Sequence, residues 1–182
     1  MGVYVALLRG INVSGHNKIK MNDLKPALLT LGFKQLSTYL QSGNVVFEAE
    51  SKNCKELEKS ISKVIQNTFS FDIKVKVIDK ENFLSVFEEN PFIGKSEIDT
   101  KQLYYIHLMG APDLDMLKQL QSDHNIPEKM SLTGEVLYVH YVNGYGRSKI
   151  HGNGLERKLK VAATARNHNT MKHLAQMLEK LK

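Results

Sequence analysis

Gln41-Ser42-Gly43-Asn44-Val45-Val46-Phe47 and Leu132-Thr133-Gly134-Glu135-Val136-Leu137-Tyr138 share one pattern: a hydroxyl side chain, a glycine, a polar residue, two aliphatics and an aromatic. Their glycines, Gly43 and Gly134, stand 91 positions apart. Each stretch reads as a tight turn running into a strand, since glycine accepts the positive φ that hairpin turns demand. Two copies of one turn-and-strand signal at this separation predict a repeated α/β unit.

The elements around each copy repeat in the same order. Val3 to Leu8 reads as a buried strand closed by Arg9-Gly10. Asp23 to Leu31 reads as a short amphipathic helix, with Asn22 as N-cap and Gly32 at its end. Lys34 to Gln41 and Asn44 to Glu48 form a hairpin around Ser42-Gly43. Asn53 to Phe69 places Leu57, Ile61, Val64 and Ile65 on one helical face, and Ile73 to Ile78 alternates as a strand. The order is βαββαβ, the ferredoxin-like pattern. Lys80 to Glu89 reads as a connecting helix ended by Asn90-Pro91. The order then restarts. Gln102 to Met109 is a strand ending at Gly110, Pro112 to Gln121 a helix, and Ser131 to Tyr138 a hairpin. Leu155 to Leu159 is a further helix, Val161 to Ala165 a last strand, and Asn167 or Asn169 caps a terminal helix. The expected fold is α+β: duplicated ferredoxin-like (βαββαβ) units with antiparallel sheets and a C-terminal helix. The expected division is 1–80 for the first repeat and 81–182 for the connecting helix, second repeat and basic C-terminal helix.

The 182 residues are 42% hydrophobic and 24% charged, which is ordinary globular composition. The longest apolar run, Val3 to Leu8, is far short of the ~20 residues that cross a bilayer. The N-terminus has no basic segment ahead of that run, so neither a signal peptide nor a membrane partner is expected. The single cysteine, Cys54, leaves no internal disulfide, which fits a reducing cytoplasm. Charge is uneven. Arg147 to Lys182 holds nine Lys/Arg against Glu156 and Glu179, while the whole chain is only +6. A second basic island holds Arg9, Lys18 and Lys20. This distribution favours anionic partners: nucleic acid, a nucleotide or a phosphorylated metabolite.

Gly10-Ile11-Asn12-Val13-Ser14-Gly15 has the glycine spacing of a phosphate loop, but His16-Asn17 replace the required Lys and Ser/Thr, which excludes a triphosphatase loop. A polar loop with backbone amides, Asn12, Ser14 and the cations Arg9, Lys18 and Lys20 remains, and such amides cradle anions. Gly144-Tyr145-Gly146 opens like a dinucleotide fingerprint, yet Lys149 stands at its third glycine. Arg147, Ser148 and Lys149 still put two cations and a hydroxyl beside flexible glycines. The segment Thr164 to Thr170 is denser in polar side chains than a helix start needs, and Arg166 is not explained by capping. His168 and His173 lie five apart, which misses the spacing of a helical zinc pair. No metal and no cofactor are expected.

Leu8-Arg9-Gly10-Ile11-Asn12-Val13, then Lys18, Met21 and Leu24, then Tyr39 to Phe47 resemble the N-terminal signature of domain-of-unknown-function family 1697. Asn90-Pro91-Phe92, Ser148-Lys149 and Thr164 to Thr170 resemble its later landmarks, with His168 where the family often has an aromatic. The resemblance implies a bacterial cytoplasmic α+β protein of two ferredoxin-like halves, and supplies no reaction. It selects Arg9, Asn12, Gln41, Ser42, Asn44, Lys149, Arg166 and Asn167 as polar positions that core packing does not require. With Lys18 and Arg147 these are the candidate ligand-binding residues. Antiparallel pairing of the first and third strands sets Arg9 and Asn12 beside the Gln41–Asn44 turn, and Lys149 and Arg166 are expected to join them in one anion-binding cleft between the halves. The leading expectation is binding of a phosphate-rich ligand, nucleic acid or nucleotide. The alternatives are an enzyme acting on a small anionic metabolite, and a protein-interaction module with a basic docking surface.

Overall fold

The computed structural model describes residues 1–13, 15–50 and 53–181. The chain runs β1 (Gly2–Leu8), α1 (Met21–Leu29), β2 (Lys34–Tyr39), β3 (Asn44–Ala49), α2 (Cys54–Phe69), β4 (Val75–Asp79), α3 (Lys80–Glu88), β5 (Leu103–Leu108), α4 (Leu114–Ser122), β6 (Lys129–Thr133), β7 (Val136–His140), α5 (Gly152–Leu159), β8 (Ala163–Asn167) and α6 (His168–Glu179). Short 3-10 turns cover Thr100–Gln102 and Tyr145–Arg147. The chain is α+β, with two four-stranded antiparallel sheets.

Two compact units are formed. Unit 1 is Met1–Ser85 with His173–Lys182, and unit 2 is Val86–Lys172. The first division therefore falls five residues beyond the expected 80/81, and the end of α6 belongs with the first unit. Unit 1 has strand order β2-β3-β1-β4, and unit 2 has β6-β7-β5-β8. The backbone closes in the same way at the end of each unit's first strand. Leu8 N–H donates to Gly43 O (2.9 Å) and Arg9 N–H to Lys74 O (2.9 Å). In unit 2, Leu108 N–H donates to Glu135 O (2.8 Å) and Met109 N–H to Ala162 O (2.8 Å). The outer edge of each last strand is also covered alike: Val77 N–H donates to Glu58 on α2 (3.1 Å), and Ala163 N–H to Glu156 on α5 (2.5 Å). An unpaired strand edge invites another chain, so these carboxylates blunt it.

Each sheet carries its helices on the expected periodic faces. In unit 1, Tyr4, Ala6, Leu8, Val45 and Phe47 meet Leu24 and Leu28 of α1 and Leu57, Ile61 and Ile65 of α2. Complete burial of each such Leu or Ile stabilises by about 1.5–3 kcal/mol. Asn53 fixes the start of α2 by accepting from Lys55 N–H (2.9 Å) and Glu56 N–H (3.3 Å). In unit 2, Ile106, Leu108, Leu137, Val139 and Tyr141 meet Leu117 and Leu120 of α4 and Leu155 and Leu159 of α5.

Several boundaries move. α1 starts at Met21, one residue ahead of the expected cap Asn22, because half-buried Met21 packs on the core and Lys20 O accepts from Asp23 and Leu24 N–H (3.0 Å each). α4 starts at Leu114 behind the Asp113 cap, which accepts from Met116 N–H (3.0 Å), and not at Pro112. The last strand is displaced to Ala163–Asn167, and Asn167, not Asn169, caps α6 through Thr170 N–H (2.9 Å). Among the described residues no helix is long and apolar enough to cross a membrane.

Candidate functional site

The C-terminal end of β1 meets the start of β3 in register, with Leu7 opposite Asn44. Beyond Leu8 the chain enters the loop of residues 9–20, and backbone turns there fall on residues that tolerate positive φ: Gly10 (67°), Asn12 (54°), Gly15 (81°) and Asn17 (47°). Ile11 and Ile19 are buried and anchor the loop in the core. Asn12 ties it to its surroundings. Its Nδ2 donates to Ile19 O (2.8 Å) and Gln41 O (2.7 Å), and its Oδ1 accepts from Ile19 N–H (2.9 Å). Asn17 closes the inner turn, donating through Nδ2 to Gly10 O (3.0 Å), while Asn12 N–H donates to Asn17 O (3.2 Å).

The facing turn is held as firmly. Gly43 sits at φ +76°, and an added Cβ would lie 2.6 Å from Ile11 Cδ1 and 2.8 Å from Leu8 Cβ. Asn44 is fully buried and donates to Tyr39 O (2.7 Å) and Ser42 Oγ (3.1 Å). The two asparagines thus join the loop and the turn into one frame. On that frame Lys18, Lys20, Gln41 and Ser42 are exposed, and Arg9 is half-buried. Clustered cations beside backbone in alternating left-handed conformations suit an anion. Ser42 Oγ accepts from the Asn44 side-chain amide, which couples it to the buried end of the turn. Ser14, which the sequence places among these polar groups, lies outside the described residues.

The other candidates lie in unit 2, near the end of the sheet where β5 starts. Arg147 and Lys149 are exposed on the loop before α5. That loop is pinned by Tyr145, stacked on Tyr104 (centroids 4.5 Å) and set edge-on to Tyr141 (5.0 Å) and His151 (5.1 Å). Ser148 is turned inward and accepts from Ile150 N–H (3.1 Å). Arg166 is buried, and its Nη1 donates to Thr164 Oγ1 (2.8 Å) and Ala165 O (2.8 Å). Burial pulls its guanidinium down to about 10, still charged at neutral pH, with Tyr145 acting in the opposite direction. Asn167 is engaged at the helix cap. The structure therefore brings Arg9, Asn12, Lys18, Gln41, Ser42 and Asn44 together in unit 1, while Asn12 and Asn44 hold the frame that presents the others. In unit 2 it displays Arg147 and Lys149 and turns Arg166 inward.

Two aromatic arrangements had no sequence signal, because each joins residues distant in the chain. His168 takes the aromatic role expected at its position: it stacks on Phe87 (5.3 Å), and Nδ1 lies 3.1 Å from Tyr105 Oη. Burial, then Lys172, lowers its pKa, and burial raises that of Tyr105 to about 12. In unit 1, Tyr39 stacks on His173 (3.9 Å). Among the described residues no group of three or more His, Cys, Asp or Glu side chains is placed to hold a metal ion.

The conserved bacterial protein SP0830 from Streptococcus pneumoniae has a similar structure, with a TM-score of 0.74 and 23% identity over 97% of this chain and 98% of that one. No curated protein matches the chain. The profile described as "Protein of unknown function (DUF1697)" matches residues 1–138, a stretch that includes β1, the 9–20 loop and the Gln41–Asn44 turn, and the chain belongs to that family.

Proposed function

We propose that the chain binds a phosphate-rich anionic ligand, nucleic acid or a nucleotide, at the loop end of unit 1, with the Arg147–Lys149 loop of unit 2 offering a further basic surface to the same class of ligand. The observation that carries this reading is the set of three Asn12 side-chain bonds, which fixes the loop bearing Arg9, Lys18 and Lys20 against the turn bearing Gln41 and Ser42. Ordering a polar loop this way is what preorganised anion recognition requires. Each unit is read as a ferredoxin-like repeat arising from an internal duplication. The common strand order, the matched backbone closures and the paired Glu58 and Glu156 edge caps support that reading. A bacterial, cytoplasmic setting is supported by the bacterial source of the similar structure and by the lone Cys54.

The test is fluorescence anisotropy of labelled single-stranded RNA, single-stranded DNA and duplex DNA across a salt series, with nucleotides screened by thermal shift. Contact with about four phosphates gives a log K against log salt slope near −3 on single strands. Lys18→Ala with Lys20→Ala flattens that slope, and Arg147→Ala with Lys149→Ala flattens it separately. Flat, weak binding to all three nucleic acids, together with no thermal shift from any nucleotide, overturns the reading.

A further inference from the structure

Tyr39 is the last residue of β2, and its ring lies on the ring of His173 in α6, with centroids 3.9 Å apart and planes 15° from parallel. His173 is exposed and Tyr39 is half-buried. Tyr39 covers one face of the imidazole. Other stacked pairs serve packing: Phe33 and Phe47 lie in the core of unit 1, and Tyr104 and Tyr145 pack against the core of unit 2. The Tyr39–His173 pair differs in that His173 is an exposed residue.

Its position is fixed by the same frame that presents the cations. Tyr39 O accepts from Asn44 Nδ2 (2.7 Å), which also donates to Ser42 Oγ (3.1 Å), and Gln41 O accepts from Asn12 Nδ2 (2.7 Å). Two residues of backbone separate Tyr39 from Gln41, a reach of about 7 Å at most. A flat aromatic surface therefore stands beside the polar turn and basic loop, on the scale that separates a base from its phosphates.

We propose that the Tyr39–His173 pair is a base-stacking platform, and that the ligand of the unit 1 loop is single-stranded nucleic acid and not an anion that offers phosphate alone. This inference rests on the anion-binding reading of that loop. Every base has a π-face, so one platform of this kind accepts a base without reading its hydrogen-bonding edge, while the lysines track the backbone. Binding with little sequence preference and a strong salt dependence follows.

The experiment compares a short single-stranded RNA containing 2-aminopurine with inorganic polyphosphate of matched charge, both titrated into the full chain. Wild type is expected to bind the RNA more tightly and to quench 2-aminopurine fluorescence on binding. His173→Ala weakens RNA binding by roughly fivefold to a hundredfold, the range for one lost stack, and removes the quench. It leaves the polyphosphate affinity unchanged. His173→Phe keeps both the affinity and the quench, and it carries the test should His173→Ala lose its folded circular dichroism spectrum. Lys18→Ala with Lys20→Ala weakens both ligands. If RNA and polyphosphate bind alike without quenching, or if His173→Ala weakens both equally, the platform is wrong while the anion site stands. If neither ligand binds wild type, the anion site itself is wrong and the platform falls with it.

Discussion

Gly43 and Gly134 lie in the hairpin turns of the two units, and replacing each by alanine separates the cost of a positive φ from the cost of close packing. Both have positive φ, +76° and +56°. An L side chain in that region costs roughly 1–2 kcal/mol, so each substitution carries that strain. Only Gly43 is also packed. A Cβ there meets Ile11 Cδ1 at 2.6 Å, Leu8 Cβ at 2.8 Å and Ile11 Cγ1 at 3.0 Å, whereas nothing lies within 4 Å at Gly134. Ile11 can turn its terminal methyl aside, but Leu8 Cβ is set by β1 and cannot. Overpacking of this kind adds about 1–3 kcal/mol. Gly43→Ala is therefore expected to destabilise by about 2–5 kcal/mol and Gly134→Ala by about 1–2 kcal/mol. Equilibrium urea denaturation followed by circular dichroism at constant m-value reads both. Ile11→Val removes Cδ1, so combining it with Gly43→Ala should recover at least about 0.5 kcal/mol of the cost as a coupling energy. Equal costs at the two glycines, or no recovery with Ile11→Val, refute the close-packing argument.

Asn12→Ala removes three side-chain hydrogen bonds and leaves an alanine at φ 54°, for an expected loss of about 3–5 kcal/mol in urea denaturation. Glu58→Ala strips the acceptor from Val77 N–H and should cost about 1–3 kcal/mol and speed hydrogen exchange at Val77, while Glu58→Gln keeps an acceptor oxygen and most of the protection. His140 is buried with neither ring nitrogen hydrogen-bonded, and burial, then Lys129, lowers its pKa against the pull of Asp99 and Glu97. Its folded pKa lies below the unfolded value of about 6.5, so the native state resists protonation: stability is complete above that value and falls as pH drops through the folded pKa. His140→Phe should flatten the fall in urea midpoint between pH 7.5 and 5, and an unchanged slope would show that other groups carry it.

The α+β order of elements was legible because turn glycines and strand periodicity are local signals. The two matched stretches stand one residue out of step in the fold, since Leu8 N–H meets Gly43 O and Leu7 faces Asn44, whereas Leu108 N–H meets Glu135 O and His107 faces Val136. Gly43 thus corresponds to Glu135 and Phe47 to Val139, and one residue of slip turns a strand's other face to the core. Helix starts were less legible, since Met21 and Asp113 answer to packing and capping geometry a few residues away, not to propensity alone. The candidate site was legible as a set of positions but not as a set of roles. Asn12, Asn44 and Asn167 look like ligand contacts in one dimension, yet each is engaged with backbone groups that only the folded chain brings near. Polarity marks a residue as unneeded by the core; it does not say whether its hydrogen bonds go inward or to a ligand. Tyr39 and His173 had no shared signal at all, because 133 residues lie between them.

The contrast between the two units bears on why the loop exists. Both first strands end in the same backbone closure, yet β1 reaches α1 through residues 9–20, while β5 reaches α4 through residues 109–113. The short connection is closed by Asp113, which caps α4 and pairs with Lys160 at 2.9 Å, so its charge is answered within the unit. The frame therefore needs only five residues to join these elements. Ordering each further residue costs roughly 1–2 kcal/mol of backbone entropy. Burying Ile11 and Ile19 in the unit 1 core and bonding Asn12 to Ile19 and Gln41 offset that cost. What the insertion adds to the surface is Lys18 and Lys20, set on the same frame as Arg9, Gln41 and Ser42. On the proposed reading these cations are what the longer loop presents to an anion. Shortening it to the unit 2 length is expected to abolish anion binding and, by taking Ile11 and Ile19 out of the core, to lower the stability of unit 1. Anion binding retained by the shortened chain would overturn the reading.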